Sequence, residues 1–178
     1  MADLARPWSG ELLRHRPRAS TRSVLDDTYL GMAGDNRWSA LGLLAYYFAL
    51  DVGVLVAEHA RHIEADLPGT HGDRLERSVF RVPVELEVVL DLTDPAVVGA
   101  MGAGAINAWI LDLRATQAAA SHLLSQVRGL QGLIVPSVAF LDQHARFNIV
   151  VYRDTIDVAT AFGSPIHELD IVLAASGA

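Results

Sequence analysis

The sequence contains no cysteine and no lysine. The first absence excludes disulfides, thiolate metal sites and a cysteine nucleophile, and it favours the cytoplasm as compartment. The second excludes Schiff-base chemistry and a Walker-type phosphate lysine. All 14 cationic side chains are arginines, whose planar fork suits bidentate phosphate recognition. Positive charge is in short supply, since 21 acidic residues leave a net charge of -7. Nonspecific binding to nucleic acid or to an acidic membrane needs a basic footprint, which this composition lacks.

An unbroken hydrophobic run of membrane-spanning length is also missing. The best imitation, "ALGLLAYYFALDVGVLVA" at 40–57, is interrupted by Asp51 and flanked by Arg37, Glu58 and Arg61. A spanning helix needs about 20 apolar residues, so this segment reads as a buried strand followed by a buried helix. The opening "MADLARPWSGELLRHR" has no hydrophobic core of the signal-peptide kind.

What is present is a globular composition, 51% hydrophobic and 20% charged over 178 residues, enough for one domain with a real core. "LLRHRPRASTR" carries Arg14, Arg16, Arg18 and Arg22 with no acid between them and reads as a short strand followed by a loop. "GDNRWS" (34–39) is turn chemistry. "LLAYYFA" (43–49) reads as a buried strand, and Asp51 caps a helix running to about Glu64. The loop 65–74 follows, then two strands, "SVFRVPVEL" and "VVLDL". "TDPAVVGAMG" is predicted as a short helix with Thr93 as cap and Pro95 in its first turn. The longest helix is "TQAAASHLLSQVRGL", ending at Gly129 or Gly132. "LIVPSVA", "ARFNIVVYRD" and a weaker "LDIVLA" close the chain as strands. Strands and helices alternate without a regular βαβ rhythm, which favours a mixed α/β or α+β fold over a doubly wound one.

Pro136 breaks the apolar run "QGLIVPSVAF", and because it cannot donate to a ladder it belongs at a strand end, an edge or a bulge. Ser137 after it is either a solvated turn hydroxyl or a serine aimed into a pocket. Arg37, Tyr47 and Glu58 raise a similar choice. A strand–turn–helix unit folds back on itself, so Tyr47 and Glu58, eleven residues apart, can face one cleft. Equally, Tyr47 can be an interior tyrosine with a satisfied hydroxyl, and Glu58 a surface glutamate paired with Arg61. Spacing alone leaves both readings open.

Other chemistries find less support. In "EHARH" (58–62), His59 and His62 are three apart where the zincin pattern needs four, and His71 in the next loop is the nearest further histidine. A solvated helix end is the stronger reading there, and no metal is predicted. Ser137 is not in a G-x-S-x-G elbow. "GAGAIN" (102–107) does not have the glycine order of a dinucleotide fingerprint.

Taken in order, these segments resemble the RES domain family, the toxin half of bacterial toxin–antitoxin pairs. The resemblance runs from about Leu13 to Asp154, with a closing strand to about residue 174. It rests on the arginine of "LLRHR", the G-x-R-W turn in "GDNRW", a strand ending in tyrosine, and a glutamate eleven residues on. "LDLTDP", a helix opening "TQAAA", and "GLIVPSVAF" followed by "RFNIVVY" complete it. The namesake Arg, Glu and Ser fall on Arg37, Glu58 and Ser137. The chain departs from the family's usual Gly-Gly-Arg-Trp-Asn turn, with Asp35-Asn36-Arg37-Trp38-Ser39 in its place. Either Arg14 or Arg16 is the first arginine of the pocket.

The resemblance implies a single domain with a split mixed sheet similar to that of ADP-ribosyltransferases. It also implies cleavage of the nicotinamide–ribose bond of NAD, by water or by inorganic phosphate. NAD is then a substrate, and no cofactor is expected. Glu58 would stabilise the oxocarbenium-like centre. Arg37 and Arg14 would hold the pyrophosphate, Tyr47 would stack on nicotinamide, and Ser137 would orient the substrate or Glu58. An Xre-like helix-turn-helix antitoxin and self-association as a dimer are the implied partners. Two alternatives are an ADP-ribosyltransferase acting on a protein, and a catalytically inert binding relative.

Overall fold

In the computed structural model, residues 1–28, 30–32, 36–66, 76–143 and 145–172 are described, the side chains of 62–66 excepted. Asp35, His71 and the loop 67–75 lie outside these residues, as do the side chain of His62 and the chain beyond 172.

The fold is α+β, built on one mixed sheet. Its elements in chain order are β1 (Arg6–Pro17), β2 (Ala45–Ala49), α1 (Val52–Asp66), β3 (Glu76–Asp91) and α2 (Pro95–Ala100). They continue with α3 (Leu113–Gln126), β4 (Gly132–Pro136), β5 (Phe147–Tyr152), α4 (Val158–Ala161) and β6 (Ile166–Val172). The strand order is β1-β2-β5-β4-β3-β6, and β1 pairs with β3 as well, so the order closes on itself. Among the described residues only β3 and β4 run parallel; the other pairs are antiparallel. The closure is uneven. β1 and β3 pair along nearly their whole length, whereas β1 meets β2 through the single pair Leu13↔Ala49. The sheet is split there.

Three hydrophobic clusters follow from strand alternation. Leu12, Tyr46, Phe48, Val84, Ile134 and Ile149 come from five strands and turn inward towards one another. On the opposite face Leu90, Leu133, Val150 and Tyr152 meet Ala120 and Leu123 of α3. Leu13, Ala49 and Val79 receive Val54 and Leu55 of α1.

Several elements differ from the expectations. The two middle strands are one strand of 16 residues, β3. Pro83 is tolerated because β6 pairs with residues 76–81 and β4 with 89–91, leaving that edge of β3 without a ladder strand between them. The Pro83 carbonyl accepts from the Gly163 backbone N–H at 2.9 Å, so the missing N–H falls on this same gapped edge. A Cβ at Gly163 would stand 2.9 Å from the Pro83 ring, which is why glycine passes here. The cap of α2 is Asp94, not Thr93. Asp94 accepts from the Ala96 N–H at 2.8 Å, while the Thr93 hydroxyl is held by Asp91 at 2.6 Å. α3 starts at Leu113 because Asp112 caps it by accepting from Arg114 and Ala115, and it ends at Gln126 ahead of Gly129, whose φ is +74°. β1 is twelve residues long rather than short, because β3 supplies a partner for almost all of it.

Candidate functional site

A cleft of about 490 Å³ opens where β1 and β2 part, walled by α1 and by the turn 36–38. Arg14, Arg37, Tyr47, Glu58 and Asn148 line it. Three of the five precede residue 50 and the others follow from elements far apart in the chain, so the fold assembles this site rather than any local motif.

Glu58 projects from α1, whose start is fixed by Asp51 accepting the Val54 N–H at 2.8 Å. Three donors converge on one of its oxygens. Oε1 accepts from the Ser137 hydroxyl at 2.6 Å, the Asn148 amide at 3.3 Å and the Ala139 backbone N–H at 3.4 Å. No described residue donates to Oε2, which leaves that oxygen available to a ligand. Glu58 is therefore not paired with Arg61: no salt bridge joins them among the described residues.

Ser137 answers the question posed by Pro136. Pro136 is the last residue of β4, a strand buried throughout and flanked by β3 and β5. At the strand end the Ser137 N–H donates to the Arg146 carbonyl at 3.0 Å and a 3₁₀ turn begins. Ser137 is 0% exposed, so its hydroxyl is no solvated turn group. It reaches Glu58 from behind.

Tyr47 stands mid-strand in β2, with its ring on the cleft wall. Its hydroxyl accepts the Trp38 N–H at 3.0 Å and lies 3.0 Å from the Ser39 hydroxyl. Tyr152 donates to the Trp38 carbonyl at 3.2 Å, and the Gln117 amide to the Asn36 carbonyl at 3.0 Å. These contacts anchor the turn that presents Arg37. We expect Tyr47→Phe to cost about 1–3 kcal/mol, because it strands a buried N–H of Trp38; thermal unfolding against wild type measures this.

Arg37 donates to the Ile110 carbonyl at 2.8 Å. Burial pulls its pKa down and Arg61 adds to that, with Glu58 and Tyr47 opposing. Arg14 lies at the split, its guanidinium 4.9 Å from the Tyr46 ring centre and 5.8 Å from that of Phe48. Its Nη1 is sealed from solvent without a hydrogen-bond partner. Burial lowers its pKa to about 10, with Tyr46 opposing. Arg16 lies over Phe80 at 5.1 Å and does not line the cleft. Arg18 turns to Glu76 and Asp170, and Arg22 to Asp26. Of the four arginines in "LLRHRPRASTR", Arg14 alone lines the cleft among the described residues.

His59 corrects the picture of a solvated helix end. It is 8% exposed, accepts from Arg77 Nε at 2.9 Å, and its ring centre lies 4.4 Å from that of His15. The long β1–β3 ribbon passes under α1 and covers it. Among the described residues no group of three or more His, Asp or Glu could hold a metal ion, and no helix is long and apolar enough to cross a membrane. Asn148 was not singled out from the sequence. The signal was there: one amide inside the apolar run "RFNIVVY", on a strand that pairs it with Ala49 of β2.

Comparison with known proteins agrees with this architecture. No curated protein sequence matches the chain. Seven chains of solved structures do. One belongs to the crystal structure of the M. tuberculosis MbcT–MbcA toxin–antitoxin complex, at 20% identity and a TM-score of 0.67, covering 95% of this chain and 86% of that one. The RES domain profile matches residues 12–173, nearly the whole length, and the chain belongs to the RES domain family.

Proposed function

We propose that this protein is a toxin of a toxin–antitoxin pair, and that it acts by cleaving the nicotinamide–ribose bond of NAD. The observation that carries this reading is Glu58, fixed through Oε1 by three donors with Oε2 left to the cleft, beside arginines suited to a pyrophosphate. Membership of the RES domain family and the likeness to a chain of a toxin–antitoxin complex support it.

In the reaction, the bond between nicotinamide N1 and ribose C1 breaks, and its electron pair leaves with nicotinamide, which departs neutral. An oxygen of water or inorganic phosphate then bonds to C1 and gives up its proton. Positive charge builds on the ribose in between, and a carboxylate beside it lowers that barrier. Glu58 takes this role. Arg37 and Arg14 hold the pyrophosphate, and Tyr47 offers its ring to nicotinamide. Ser137, shut away from the cleft, acts by holding Glu58 rather than by touching substrate. Ser137→Ala leaves two donors on Oε1, so we expect kcat to fall about tenfold with KM little changed, the loss expected for one charge-assisted hydrogen bond.

Product analysis decides the acceptor. Wild-type protein is incubated with NAD, with and without inorganic phosphate, and products are identified by mass. ADP-ribose carrying a new phosphate on the former nicotinamide carbon marks phosphorolysis, free ADP-ribose marks hydrolysis, and ADP-ribose on an added protein marks the transferase. NAD left intact in every arm sinks the reading and favours an inert binding relative. An antitoxin partner of the Xre type and a dimeric state belong to the same proposal.

A further inference from the structure

The protein carries a net charge of -7, yet the described lining of its cleft reverses that sign. Arg14, Arg37 and Arg61 face it, and Glu58 is the single carboxylate among the described lining residues. The one acid is already engaged through Oε1 with Ser137, Ala139 and Asn148. Arg14 is packed on Tyr46 and Phe48 at the back of the split. Arg37 and Arg61 remain at the front.

Arg61 follows Glu58 by three residues on α1, so both lie on the helix face that borders the cleft. It is exposed, and no described residue gives it a hydrogen bond or an ion pair. Arg37 has one arm on the Ile110 carbonyl, which aims the rest of its fork while leaving donors unused. Arg37 and Arg61 are close enough for like-charge repulsion to be felt at Arg37. Two repelling guanidiniums facing one cleft, with Glu58 the single described carboxylate beside them and already held through Oε1, are an arrangement that a further anion relieves.

We infer that Arg61 and Arg37 form a two-armed clamp for a phosphoryl group, and that Arg61 sets the preference of the cleft for ligands carrying one. This rests on the same cleft being the ligand site, as proposed above. The phosphoryl group has two possible sources, the diphosphate of a dinucleotide or free inorganic phosphate, and forked arginine donors suit either.

The test uses Arg61→Gln, Arg61→Lys and the exposed control Arg128→Gln in the turn after α3, each checked for folding by circular dichroism. Inorganic pyrophosphate is titrated against each protein by calorimetry. KM is then measured for NAD and for inorganic phosphate separately, and nicotinamide riboside serves as a ligand without a diphosphate. Arg61→Gln is expected to weaken pyrophosphate binding at least tenfold. It should raise KM for NAD if the diphosphate is clamped, or KM for phosphate if the free anion is, with kcat within about threefold of wild type. Arg61→Lys should recover part of the loss, because it restores charge but not the fork. Arg128→Gln and riboside affinity should not move. The clamp is overturned if Arg61→Gln leaves pyrophosphate affinity and both KM values within twofold of wild type, or if it weakens riboside equally. Should wild type consume no NAD, the pyrophosphate titration decides alone. Arg61-dependent binding then upholds the clamp while the NAD reading fails, and no binding by wild type removes the clamp.

Discussion

Glu58→Gln is expected to leave the fold intact and to lower nicotinamide release from NAD on the order of 10³-fold. The two halves of that expectation come from the two oxygens of one side chain. The amide keeps a carbonyl oxygen where Oε1 stands, so Ser137, Ala139 and Asn148 retain their acceptor. It places an NH₂ at the position of Oε2, which no described residue engages, and an amide donor beside a developing cation stabilises nothing. Unfolding free energy should stay within about 1 kcal/mol of wild type, because hydrogen bonds are kept and packing is unchanged. Glu58→Ala makes the useful contrast. It strands the buried Ser137 hydroxyl, which costs about 1–3 kcal/mol, so the two variants should be equally inactive but unequally stable. Chemical denaturation alongside a nicotinamide assay separates them. A Glu58→Gln protein as active as wild type would remove the carboxylate from the chemistry.

Arg14→Met should make the protein more stable and less able to bind an anionic ligand. The Arg14 guanidinium is held against Tyr46 and Phe48 with Nη1 cut off from water and unpartnered. Burying a cation without a hydrogen-bonded counterion costs several kcal/mol, and a cation–π contact returns about 0.5–2 kcal/mol. The cost is the larger, which agrees with the lowering of the pKa to about 10 by burial. Methionine fills the stem's space without the charge, so we expect a gain of about 1–2 kcal/mol, or several degrees in Tm. The pH dependence has a definite sign. Folding lowers the pKa of Arg14, so the unfolded chain binds more protons above pH 10, and wild-type stability rises with pH through that value. The advantage of Arg14→Met should therefore be full at neutral pH and shrink as pH rises through about 10. Affinity for an anionic ligand should fall at least about tenfold, the loss expected for a charged hydrogen bond. A destabilised Arg14→Met protein would mean that the guanidinium is a keystone of the split rather than a binding group held there at a cost.

Most of the architecture could be read from the chain, and the misreadings have physical causes. β2, α1 and β5 follow from short apolar runs and from the cap at Asp51, all of which are local. From the sequence β3 divides at Glu87, between "SVFRVPVEL" and "VVLDL", although the first of these already runs through Pro83. What rescues Pro83 is a gap between β6 and β4 on one edge of the strand, a property of the sheet that no local pattern contains. The same holds for β1, whose length depends on finding β3 some 70 residues later. His59 looked solvated because it follows Glu58 on a helix with charged neighbours; its burial depends on the ribbon beneath.

The site shows a similar division. Nothing in the spacing of Arg37, Tyr47, Glu58 and Ser137 decides whether they meet, and only the resemblance to the RES domain joined them. The structure sets Glu58 and Ser137 2.6 Å apart across 79 positions of sequence, and binds Tyr47 to the turn that carries Arg37. The pairing of Glu58 with Arg61, reasonable for two residues three apart on a helix, is absent among the described residues, and Ser137, Ala139 and Asn148 hold Oε1 instead. Asn148 escaped notice because an asparagine in a strand ordinarily faces solvent. Its partner comes from α1, 90 residues earlier.

The measurement that bears most directly on the account is the time course of nicotinamide release from NAD by purified wild-type protein, in phosphate-containing and phosphate-free buffer, with folded Glu58→Gln beside it. The account predicts release by wild type matched by loss of NAD, and release by Glu58→Gln lower by about three orders of magnitude. No release by folded wild type in either buffer, or equal release by the two proteins, would contradict it.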